Sequence, residues 1–142
     1  MHFDRAEALR RAAAADHGVL ATMQPSRGAD LVPACFAIVD DWLAVPIDSV
    51  KPKGSTALGR IRNLERDPRA TLLVEHWDPA DWSKLWWVRV DGRASLEERG
   101  EAFARALNSL RDRYPQYESV DLTGPVIRIT VESTTTWEAT PG

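Results

Sequence analysis

The chain has 142 residues, 44% of them apolar and 27% charged, with a formal net charge of −3. This length supports a real hydrophobic core, and this balance excludes a largely disordered chain. The mild acidity disfavours generic nucleic-acid binding, which draws on a basic surplus. The single cysteine, Cys35, excludes an internal disulfide and fits a reducing cytoplasm. It sits in the apolar run 31–39, where a small buried thiol is the expected reading. His2, His17 and His76 lie far apart and no CxxC or HxxxH spacing occurs, so no metal site is expected. No run approaches the ~20 apolar residues of a membrane span, and the N-terminus lacks the apolar stretch of a signal peptide.

In chain order, residues 4–15 predict a helix rich in Ala and Arg, with Asp4 as cap and Glu7 three residues later. Gly18 breaks it. Residues 19–23 read as a first strand and 25–28 as a turn. Residues 31–39 read as a second strand, whose Pro33 points to an edge, a bulge or a strand start. Asp40-Asp41 is a tight connection to a third strand at 42–47, making a hairpin. A polar loop, 48–55, leads into a helix at about 56–66, with Leu58, Ile61 and Leu64 as its apolar stripe. Arg60 and Asn63 share another face of that helix. Asp67-Pro68 ends it.

Residues 70–75 form a fourth strand and 78–84 a turn-rich loop. Residues 85–96 alternate, with Trp86, Val88 and Val90 on one side and Trp87, Arg89 and Asp91 on the other. Gly92 marks a bulge or bend. Residues 98–112 predict a third helix on the stripe Phe103, Leu107, Leu110. Residues 126–131 are the last strand. The order α-β-β-β-α-β-β-α-β, with short turns, implies antiparallel pairing. The fold class is mainly β with flanking helices, a six-stranded antiparallel barrel in one domain spanning 1–142, because closure removes exposed edges.

Two features suggest a ligand. Lys51, Lys53 and Ser55 precede a helix whose N-terminus attracts anions, with Arg60 one turn in and Asn63 beside it. On residues alone this is either a solvated basic loop or a phosphate cradle. Six tryptophans are also many for this length, and Trp77, Trp82, Trp86 and Trp87 fall within eleven residues. Such density marks a core corner, an interface or a stacking surface.

The run Arg60-Ile-Arg-Asn-Leu-Glu-Arg-Asp-Pro-Arg69 resembles the signature of the pyridoxamine-phosphate-oxidase-like split barrels. Gly18-Val-Leu-Ala-Thr22 resembles their first strand, and the element order matches over nearly the whole chain. Lys84-Leu-Trp-Trp-Val-Arg-Val-Asp-Gly-Arg93, with the Lys51-Pro-Lys53 loop, is similar to the actinobacterial branch that uses the deazaflavin coenzyme F420. The resemblance implies an FMN-binding split-barrel-like fold and a homodimer with cofactors in clefts between subunits. It places the cofactor phosphate on Lys51 or Lys53, Arg60 and Asn63. Relatives often carry lysine where Arg60 stands, and arginine keeps the charge with a fork geometry of its own.

A flat redox ring needs apolar walls. Candidates are Val32, Pro33 and Ala34, residues 45–47, and Trp82, Trp86 or Trp87 from the partner subunit. The implied activity is hydride transfer between F420 and a small unsaturated substrate in the cytoplasm, with no nucleic acid or membrane partner. FMN is the alternative cofactor, and a non-catalytic F420- or haem-holding protein is the alternative class. No Ser-His-Asp or Cys-His pattern is evident, so no catalytic side chain is assigned.

Overall fold

The computed structural model describes residues 1–47, 56–119, 122 and 124–140. Helix α1 (Arg5–Ala14) starts where Asp4 accepts a hydrogen bond from the Glu7 N–H at 2.9 Å. The Glu7 carboxylate turns to Arg10 and Arg11 instead of completing a capping box. Strands β1 (Gly18–Gln24) and β2 (Gly28–Ala34) form a hairpin, with Gly28 at φ 92°. Strands β3 (Ala37–Val39) and β4 (Trp42–Pro46) form the next, turning through Asp40 at φ 54°. Asp tolerates that left-handed backbone better than most residues.

Helix α2 (Thr56–Arg66) leads into β5 (Arg69–His76). A short 3₁₀ turn (Trp82–Lys84) precedes β6 (Trp86–Glu97). Helix α3 (Glu101–Arg113) and a second 3₁₀ turn (Pro115–Glu118) lead to β7 (Val126–Glu138). This last strand runs well past the expected end at residue 131, because residues 133–138 pair with the first half of β6. The polar loop 48–55 lies outside the described residues.

The sheet is antiparallel with helices on its flanks, as expected, but among the described residues it has seven strands where six were expected. Its order is β2-β1-β5-β6-β7-β4-β3. The extra strand comes from 31–39, which is not one strand. It breaks at Cys35-Phe36, and its halves β2 and β3 occupy opposite edges of the sheet. The hydrogen-bonded order is therefore open, not closed as a barrel. Only two residues join the two edges, so the sheet must curl until they nearly meet, since each residue spans at most ~3.6 Å. Pro33 lies in the edge strand β2, where a missing N–H is tolerated.

Inward-facing Leu20, Leu72, Val74, Val88, Val90, Ile127 and Ile129 are buried and fill the main core, against which Phe3, Leu9 and Ile61 pack. Helix α3 closes a second cluster with Ala106 and Leu110, over Trp42 and Ala44. Between Asp91 and Gly92 the β6–β7 register shifts, the bulge that Gly92 predicts.

Candidate functional site

The family-like run 60–69 performs two jobs. Arg60 is 6% exposed and Asn63 only 1%. The Asn63 amide donates to the Thr22 hydroxyl at 3.0 Å and to the Asp30 carboxylate at 2.7 Å. These two bonds use both N–H donors and clamp α2 to the β1–β2 hairpin. Asp67 then accepts from the Arg69 backbone N–H at 3.1 Å and from its guanidinium, turning the chain from helix to strand. These donated bonds, with the guanidinium foremost, hold the Asp67 pKa down at about 2.

Of the expected phosphate group, Arg60 and Asn63 sit together on α2. Lys51, Lys53 and Ser55 lie outside the described residues. Of the ring walls, Val32 is half-buried, Pro33 exposed and Ala34 buried, all in β2 beside residues 18–20 of β1. Trp86 and Trp87 stand at the far end of β6. Asn63 meets Thr22, which pairs with Ala70, whereas Trp86 pairs with His76. Six residues of β5 separate the two ends, about 20 Å at ~3.4 Å per residue. Within one subunit Trp86 and Asn63 are not brought together.

The two tryptophans also divide between faces. Trp86 points inward, packs on the core and lies nearly parallel to His76, with centroids 6.0 Å apart. Arg11 lies over its ring at 5.5 Å and reaches Glu138 at 2.8 Å. Trp87 points outward. It lines a trough of 380 Å³ on the outer sheet face with Val19, Ala21, Leu31 and Leu73, and Thr71, Glu75 and Arg89 also line it. Leu31 is 65% exposed there. Val19, Ala21, Leu31 and Leu73 were not among the expected site residues. The signal for them is that β1 is apolar at odd as well as even positions, so both of its faces seek cover.

A larger cleft of 580 Å³ opens between the end of α1, the start of β1 and the end of β5, with Trp77 and Trp86 in its wall. Among the described residues no group of three His, Cys, Asp or Glu is placed to hold a metal. No helix of the described residues is long and apolar enough to cross a membrane.

Residues 6–138 match the family model described as pyridoxamine 5'-phosphate oxidase. No curated protein matches the chain. Among solved structures, a conserved hypothetical protein from Mycobacterium tuberculosis is similar at 24% identity and TM-score 0.75, covering 96% of this chain and 86% of that one. A heme binding protein from Mycobacterium smegmatis is similar at 21% identity and TM-score 0.72, over 96% of this chain and 54% of that one. An FAD binding protein from the same organism is similar at 15% identity and TM-score 0.66, over 96% and 98%. Likeness at these identities speaks to fold and not to ligand. The family match over nearly the full length, on a curled antiparallel sheet whose two edges are joined by one chain segment, places this protein in the pyridoxamine 5'-phosphate oxidase family, with its split-barrel fold.

Proposed function

We propose that this chain is an F420-dependent oxidoreductase that works as a homodimer and moves a hydride between coenzyme F420 and a small unsaturated organic substrate. The observation that carries the reading is the outer trough. Its floor of Val19, Ala21, Leu73 and Trp87 is apolar and open, and Leu31 stands 65% exposed at its wall. An apolar sheet face of this kind suits a flat ring covered by a second subunit. Thr71 and Arg89 supply polar groups at its margin.

The residues fit such a cofactor in part by what they leave open. Asn63 spends its amide on Thr22 and Asp30, so it holds α2 in place. Phosphate binding then falls to Lys51, Lys53 and Ser55 before the helix, with Arg60 and the exposed Arg62 extending the basic surface for an anionic tail. Val32, Pro33, Ala34 and the trough, with Trp87 in its floor, would wall the ring. F420 supplies the hydride chemistry when bound. The protein orients the reacting groups and excludes water.

The test is titration of the purified protein with F420 and, separately, FMN, followed by cofactor fluorescence and calorimetry. Micromolar binding of F420 with FMN at least about tenfold weaker is the expected result, a difference of ~1.4 kcal/mol. Lys53→Ala and Arg62→Ala should each weaken F420. Preference for FMN moves the assignment to a flavin enzyme, and binding of haem alone overturns the redox reading.

A further inference from the structure

We infer that the 580 Å³ cleft at the end of α1 binds a small organic cation with an aromatic or apolar body. The inference does not depend on which cofactor the chain takes, though the cleft shares Val19, Leu73 and Glu75 with the outer trough. The volume suits a compact ligand, since such sites commonly span ~300–1,000 Å³.

The charge of the cleft sets the ligand's sign. Four ionisable groups of fixed formal charge line it: Arg10, Arg11, Asp16 and Glu75. Both arginines are already committed. Arg10 grips Glu7 through two guanidinium nitrogens, and Arg11 holds Glu138 at 2.8 Å and Glu7 at 3.6 Å. The two carboxylates are not. Among the described residues neither Asp16 nor Glu75 has an ion-pair or hydrogen-bond partner for its side chain. Arg113 approaches from the adjoining groove, but it donates to the Ala12 carbonyl at 3.1 Å and to the Ala15 carbonyl, not to Asp16. His17 and His76 also line the cleft. Two carboxylates without such partners thus line a space whose arginines are already paired.

The wall supplies the rest. Trp77 lines the cleft and is 59% exposed, braced by Trp82 at 6.0 Å and itself 64% exposed. Leaving two indoles in water is costly apolar exposure. A cation over an aromatic face beside a carboxylate gains from both. Trp86 already uses its ring on Arg11 and His76, so Trp77 is the face left for a ligand.

The experiment is calorimetric titration of the full chain, with tryptophan fluorescence in parallel. The probe is benzyltrimethylammonium, with benzyl alcohol and benzenesulfonate as neutral and anionic counterparts. Expected is saturable single-site binding of the cation, with both counterparts at least about tenfold weaker. Trp77→Ala, and Asp16→Asn combined with Glu75→Gln, should each cut the affinity at least about fivefold. All three positions border solvent, and an unchanged thermal midpoint would verify that the variants are folded. Tighter binding of the sulfonate, equal binding of all three probes, or no saturable cation binding overturns the proposal. F420 titration of Trp77→Ala, a residue outside the trough, should be unchanged, so failure here and failure of the cofactor reading are separable.

Discussion

The Tyr114 hydroxyl serves both backbone polar groups of Phe36. It accepts from the Phe36 N–H at 3.1 Å and lies 3.1 Å from the Phe36 carbonyl, with the Asp16 carbonyl at 3.0 Å as a second acceptor. Phe36 is fully buried in the two-residue step that carries the chain from one edge of the sheet to the other. It has no strand partner there, and unpaired buried backbone groups are costly. Tyr114, at the end of α3, stands in for the missing ladder.

Tyr114→Phe should therefore destabilise the protein by about 1–3 kcal/mol, the cost of orphaning buried polar groups. The ring contact with Tyr117, at 5.7 Å, should survive. Urea denaturation would measure the loss. Burial pushes the Tyr114 pKa above its ordinary 10.0, outweighing the Phe36 hydrogen bond that lowers it. The folded value is raised, so this contribution is present below pH 10 and fades as pH climbs through the folded value. The stability gap between wild type and variant should shrink at strongly alkaline pH.

Gly92→Ala tests the bulge. A Cβ at this position would overlap the Thr130 carbonyl oxygen and crowd Ile129 Cγ2 at 2.9 Å. The carbonyl belongs to the backbone of β7 and cannot rotate away. The substitution should cost at least about 2 kcal/mol by overpacking. Gly59→Ala, where the same atom meets nothing within 4 Å, is the control. Comparable midpoints for the two variants in thermal unfolding would contradict the account.

Features written within a few residues were legible in the sequence, and features created by wrapping were not. Asp4 as a helix cap and Gly92 as a bulge follow from local backbone demands. The break at Cys35-Phe36 is invisible locally, because the apolar run 31–39 continues through it. It exists only because the curled sheet needs a segment to change edges. The candidate site divides the same way. Arg60 and Asn63 stand out as polar residues on an otherwise patterned helix. The partners of Asn63, Thr22 and Asp30, lie 41 and 33 residues away, and nothing in the spacing announces them.

Asn63→Ala should cost about 1–3 kcal/mol, because it takes the amide donor from the buried Thr22 hydroxyl and from one oxygen of Asp30, whose other oxygen keeps Arg27. Asn63→Asp should be worse than alanine at neutral pH. It sets a second carboxylate against Asp30, and like charges at hydrogen-bond distance repel strongly when shielded from water. If Asn63 were a direct phosphate ligand and nothing more, Asn63→Ala would weaken cofactor binding and leave the apo-protein's urea midpoint unmoved. Measuring that midpoint on the apo-protein separates the two roles.

Asp67 gives the clearest pH signature. Its carboxylate takes Arg69 Nε at 3.0 Å and the terminal guanidinium nitrogen at 2.6 Å, and its pKa falls from the ordinary 3.8 to about 2. The folded value is depressed, so the turn's contribution is complete above pH 3.8 and drains away as pH falls towards 2. A carbon-detected NMR titration should find the Asp67 midpoint near 2. In Arg69→Gln the midpoint should rise towards 3.8 without reaching it, because the backbone N–H of residue 69 still donates at 3.1 Å. A midpoint that did not move would mean the backbone alone holds the carboxylate. Arg69 would then have no part in turning α2 into β5.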